Sequence, residues 1–93
     1  MSIIRRIRQK ILRDEFVFSV HTTLDKLPEL DLNTKDVISA IFNGEIIEKL
    51  TDDRRGTRYV ILGFAAGNRE IEIVCRFRAD NQLIIITVYE PNK

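Results

Sequence analysis

The chain has 93 residues, of which 44% are hydrophobic and 31% charged, and a formal net charge of +1. That length suits one hydrophobic core and no second domain, and the composition excludes a disordered or fibrous chain. A lone cysteine, Cys75, excludes an internal disulfide framework, and one histidine with no carboxylate pair at ligand spacing leaves no metal or other cofactor expected.

The first element is the basic one. Residues 1–13 carry Arg5, Arg6, Arg8, Lys10 and Arg13 and no acid, whereas the remainder holds ten basic and fourteen acidic residues. Ile3, Ile4, Ile7, Ile11 and Leu12 recur at helical spacing among those cations, which predicts an amphipathic helix over 2–14. Arginines interrupt every apolar run, so no signal-peptide core forms, and no segment reaches the apolar length of a membrane span. A soluble, cytoplasmic protein without membrane contact is expected. The basic helix suits a nucleic-acid backbone or a docked partner, and it lacks the aromatic anchors of an interfacial membrane helix.

"FVFSV" follows as a short strand-like or extended apolar run, and His21 then opens the polar segment "HTTLDKLPEL". Thr22, Thr23 and Asp25 are capping types and Pro28 restrains what precedes it, so a short helical turn is predicted. Asn33 caps the next helix as Asn33-x-x-Asp36, with Val37, Ile38, Ile41 and Phe42 as its buried stripe and Gly44 suited to a left-handed stop. Four strands are predicted after it, over 45–50, 57–64, 69–77 and 82–89, joined by turns rich in Gly, Asn and Asp. In the third, Ile71, Ile73, Cys75 and Phe77 share one face and Glu70, Glu72, Arg76 and Arg78 the other, as in a sheet with one buried and one wet face. The fourth is apolar on both faces through Ile84, Ile85 and Ile86 and is expected to lie centrally. The whole reads as one α+β domain over 1–93: helices in 1–44, then a four-stranded antiparallel meander over 45–90 with the helices on one face.

Candidate functional residues are few. His21 is either a general acid or base, since histidine titrates nearest neutrality, or a half-buried residue donating to a carbonyl where strand becomes helix. Arg58, Arg76 and Arg78 converge near one end of the sheet if the second and third strands pair, and Arg54 and Arg55 sit in the preceding "DDRRG" loop. A guanidinium fork holds phosphate two-pronged without titrating, although cross-strand pairing with Glu70 and Glu72 would also account for Arg76 and Arg78. Tyr59 and Tyr89 are either stacking surfaces for a base or amphipathic caps on the core. Cys75 alternates with core isoleucines as a small hydrophobe. No glycine-rich phosphate loop, serine elbow or metal signature occurs.

Taken together, "FSVH", "LNTKDVISAIFNGEIIEKL", "TRYVILGF", "GNREIEIVCRF" and "QLIIITVYEP" resemble a family of small bacterial and archaeal proteins, the domain of unknown function numbered 4258. The resemblance spans nearly the whole chain. It rests on the lone histidine after a short apolar run, the helix ending "NGEIIE", a strand of the form Tyr-apolar-apolar-Gly, and the terminal "IITVYEP". That family is similar in element order to the RelE and BrnT toxins, compact α+β proteins that cleave RNA without a metal; the likeness is one of fold. Its members follow the histidine with an alanine and arginines, roughly "HAxxR", and a later "ER". This chain has Asp25 in the first arginine's place, and after His21 no arginine before Arg54.

The resemblance therefore implies a small toxin-like RNA-binding protein, with metal-independent endoribonuclease activity of the toxin–antitoxin kind. Such chemistry needs a base for the 2′-hydroxyl, an acid for the leaving oxygen and cations on the phosphate. His21 is the candidate base or acid, Arg58, Arg76 and Arg78 the phosphate clamp, and Tyr89 a second proton donor or stacking surface. Arg5, Arg6, Arg8, Lys10, Arg54 and Arg55 are the candidate backbone contacts, and an antitoxin-like protein would cover this face at rest. The competing expectation is a non-catalytic protein-interaction module, self-associating or bound to another protein through an open sheet edge or the basic helix. The two differ in whether His21 lies within reach of the strand arginines.

Overall fold

The isoleucine spacing of the N-terminal segment produces α1 (Ile3–Leu12), which buries Ile7 and Ile11 and leaves Leu12 exposed. The computed structural model describes residues 2–91. After α1 the chain turns through Asp14, in the left-handed region at φ 58°, into β1 (Phe16–Phe18). A π-helical turn over Thr22–Lys26 runs directly into the single-turn α2 (Leu27–Leu30), which ends where Asp31 adopts φ 56°. α3 (Thr34–Asn43) begins with a reciprocal capping box: Asn33 Oδ1 accepts from Asp36 N–H, and Asp36 Oδ2 accepts from Asn33 N–H.

Four antiparallel strands follow, β2 (Glu45–Leu50), β3 (Arg58–Ala65), β4 (Arg69–Phe77) and β5 (Leu83–Tyr89). The α+β class and the meander agree with the sequence pattern, but the sheet has five strands and is mixed. Its order is β1-β5-β4-β3-β2, with β1 parallel to β5 in the register Phe16 to Leu83 and Phe18 to Ile85. The extended apolar run before His21 is thus a strand, which the four-stranded antiparallel expectation left out. β5, apolar on both faces, is flanked by β1 and β4 and lies inside the sheet, one place from its centre.

Helical and strand residues meet on one face. Ile7, Ile11, Leu27, Val37, Ala40 and Ile41 pack with Tyr59, Ile61, Ile71, Ile73, Cys75, Leu83, Ile85 and Val88 in a single core cluster. Phe42, expected in the stripe of α3, is exposed, and Ala40 takes the buried place. The reason is the closeness of α3 to β3. Gly44 is extended (φ −98°, ψ −175°), not left-handed; a Cβ there would stand 2.5 Å from the Leu62 carbonyl oxygen, and one on Gly63 would collide with the Ala40 carbonyl. Small residues let the two backbones approach. Asn43 locks the junction, its side-chain amide donating to the Phe64 carbonyl and accepting from Phe64 N–H, both at 2.9 Å.

Among the described residues no helix packs on the opposite face of the sheet. Val60 and Val74 are paired there and are buried although they stand outside the core cluster, so the long side chains around them supply the cover.

Candidate functional site

Pairing of β3 with β4 sets Arg58 beside Arg76, and pairing of β4 with β5 sets Arg76 beside Ile84. Tyr59 and Cys75, the neighbours of these arginines along their strands, enter the core, so period-two alternation puts Arg58 and Arg76 on the bare face. The loop over 51–57 returns to the same end of the sheet. Arg55 N–H donates to Asp53 Oδ1 at 2.8 Å, and Gly56 N–H donates to the Asp53 carbonyl at 3.1 Å. Arg58 reaches both loop acids: its Nη2 lies 3.4 Å from Asp52 Oδ1 and its Nε 3.3 Å from Asp53 Oδ2. The second contact lacks hydrogen-bond alignment, and among the described residues the buried Nε atoms of Arg58 and Arg76 find no hydrogen-bond partner. The Asp53 carboxyl is held below the usual carboxylate range, chiefly by the Arg55 N–H bond, with Arg58, Arg55 and Arg76 adding to it against desolvation.

Other cations gather at this end. Arg78 forms a 2.8 Å pair with Asp80 in the β4–β5 turn. The guanidinium of Arg6 lies 4.4 Å over the Phe77 ring, and Lys10 Nζ donates to the Asn81 carbonyl at 2.7 Å. Arg6, Gln9 and Lys10 of α1 and Arg13 just after it line a cleft with Glu15 and Asn81. Arg54 and Arg55 are exposed at the loop tip. The far end of the sheet is acidic: Glu45, Glu70 and Glu72 lie there, and a second cleft is lined by Glu29, Leu30, Asp31, Arg69 and Glu90.

The predicted residues are only partly brought together. Arg58, Arg76 and Arg78 share one end of the sheet. Tyr89 lies on the bare face at the other end, beside Glu72, roughly 13 Å along the strand from the Arg76 level. Burial, a hydrogen bond to Glu72 and the charges of Glu72 and Glu48 push its hydroxyl up to about 12, which keeps it protonated. His21 is exposed rather than half-buried, and its Nδ1 lies 3.3 Å from Asp25 Oδ2 on the same ridge. It follows β1, three strand spacings or about 14 Å across the sheet from β3, and its turn leads Leu27 into the core on the helix-covered face.

Of the α1 cations, Arg8 is committed to the fold: Nε donates to the Ile41 carbonyl at 3.3 Å and Nη2 to the Gly44 carbonyl at 2.9 Å, closing the C-terminus of α3. Sequence reasoning read Thr22 only as a capping type and passed over Ser19. Their hydroxyls donate to the Ile86 carbonyl at 2.8 and 2.9 Å, where the β4–β5 register shifts. Thr22 is fully buried. Their place in a capping-type segment was the available signal. Burial pushes the Cys75 thiol up to about 12, which removes it as a nucleophile. Among the described residues no three of His, Cys, Asp and Glu are placed to hold a metal ion, and no helix is long and apolar enough to cross a membrane.

Residues 23–90 match the family described as Domain of unknown function (DUF4258), and the chain belongs to that family. No curated protein and no solved structure matches it.

Proposed function

We propose that this chain is a small toxin-like RNA-binding protein that holds the RNA backbone at the basic end of its sheet. The observation that carries the reading is the adjacency of Arg58 and Arg76 on the sheet face opposite the helix-packed core, with Arg54, Arg55 and Arg78 around them. Guanidinium groups neutralise phosphates and release counterions, which makes affinity fall steeply with salt. Helices followed by an antiparallel meander also support the likeness to RelE and BrnT toxins, a likeness of element order. Cleavage through His21 is left out of the proposal, because the histidine's exposed pair with Asp25 lies on another part of the surface from the arginines.

The test is binding of a labelled oligouridylate followed by fluorescence anisotropy between about 50 and about 200 mM salt. Wild type should bind and weaken at least tenfold across that range. Arg58→Gln/Arg76→Gln should lose roughly tenfold or more at the lower salt, whereas His21→Ala should bind as wild type does. Absence of binding at the lower salt defeats the reading. A second reading, an interaction module that pairs with itself or with an antitoxin-like protein, draws on one observation. Val20 and Leu24 are 72% and 68% exposed and stand one helical turn apart on the ridge that carries His21. A monomer by light scattering that is unchanged by Leu24→Lys, and retention of no protein partner from the host, would argue against it.

A further inference from the structure

Elsewhere in this chain arginine–carboxylate pairs are short, 2.8 Å for Arg78 with Asp80 and 2.6 Å for Arg69 with Glu90. The contacts of Arg58 are 3.4 and 3.3 Å, divided between two different carboxylates. Neither reproduces the parallel two-pronged geometry in which a guanidinium binds an oxyanion most strongly. Two buried Nε–H donors, those of Arg58 and Arg76, have no acceptor among the described residues, and a buried donor left unmade is costly. The acids are therefore an imperfect ligand for a site with donors to spare.

We propose that the β2–β3 loop is a built-in competitor for the Arg58–Arg76 site: Asp52 and Asp53 occupy it at rest, and an RNA phosphate enters by displacing them. The inference rests on the RNA-binding reading above and adds how that site is regulated. A phosphodiester shares one charge between two oxygens as a carboxylate does, but it is not tethered to the loop and can sit between both guanidinium groups, whereas the ion pairs of Asp52 and Asp53 are with Arg58. The loop is suited to moving. Asp52 is 84% exposed, Arg58 is the residue its side chain pairs with, and the backbone beyond turns at Gly56, φ 122°. The Arg55 N–H bond, with Arg58, Arg55 and Arg76 nearby, holds the Asp53 carboxyl below its usual range and so favours the charged form of the competitor.

Asp52→Asn/Asp53→Asn tests this with the same labelled oligouridylate. Asparagine preserves the side-chain oxygen that accepts from Arg55 N–H, so the turn is retained while the competing charge is removed. Affinity should rise by roughly fivefold, the scale of losing weak exposed ion pairs. Asp80→Asn removes a charge at the same end without touching Arg58 or Arg76, and should raise it by under about 1.5-fold. In an Arg76→Lys background, which keeps the charge but not the fork, the gain should shrink below twofold. Wild type that binds while the asparagine variant gains nothing, or gains no more per charge than Asp80→Asn, overturns the competitor and leaves the RNA-binding reading standing. No binding by any variant overturns both.

Discussion

At the scale of single residues, chemistry and position separate in the segment around the only histidine. Ser19 and Thr22 are held by the fold, because both hydroxyls donate to the Ile86 carbonyl where the β4–β5 register shifts, while His21 between them is exposed. Tyr89 is the opposite case, an ordinary residue made unusual by its neighbours. Its hydroxyl is partly desolvated and donates to Glu72, so the folded chain holds that proton more tightly than the unfolded chain, where a tyrosine titrates near about 10. More protons bound in the native state means that stability falls as pH rises. The contribution is complete below the unfolded value and is lost as pH passes through about 12. Phenolate absorbance in a Tyr59→Phe background should give a midpoint near about 12, and Glu72→Gln should move it down. A midpoint at the free-tyrosine value would remove the Glu72 contact from the account.

At the scale of elements, the register of α3 on β3 depends on what is missing. With hydrogens in place of side chains at Gly44 and Gly63, the helix end and the strand touch backbone to backbone. Gly63→Ala should destabilise the protein by about 3 kcal/mol, since the added methyl meets a carbonyl that cannot move without shifting the helix. Urea denaturation measures it, and a loss under about 0.5 kcal/mol, the range of an ordinary surface change, would mean that the helix slides freely. Such contacts explain what could be read from the sequence. β2 and β4 fall at 45–50 and 69–77 as predicted, because alternation and turn residues are local signals. β1 has three residues, too few for a period, and its partner Ile84 lies far along the chain from Val17. The pairing of Arg58 with Arg76 was legible from a hairpin. The commitment of Arg8 to carbonyls 33 and 36 residues away was not, since nothing local marks an orphan carbonyl.

At the scale of the whole molecule, the family match begins at residue 23, yet the segment before it completes the core. Ile7 and Ile11 are buried, Phe16 and Phe18 pack against the cluster, and β1 covers the edge of β5. Two buried isoleucines contribute roughly 3–6 kcal/mol together, comparable with the entire stability of a small domain, about 5–15 kcal/mol. Removing them with β1 also bares an apolar strand edge, the arrangement that templates aggregation. Residues 23–93 alone should therefore lack a cooperative thermal transition and dispersed amide resonances, and should bind a hydrophobic dye. Adding a peptide of residues 1–22 should restore dispersion, because β1 is held to β5 by backbone bonds such as Leu83 N–H to the Glu15 carbonyl at 3.0 Å. A cooperative melt of the truncated chain without the peptide would show instead that the meander and α3 carry the fold, with α1 and β1 an appendage whose cations serve binding alone.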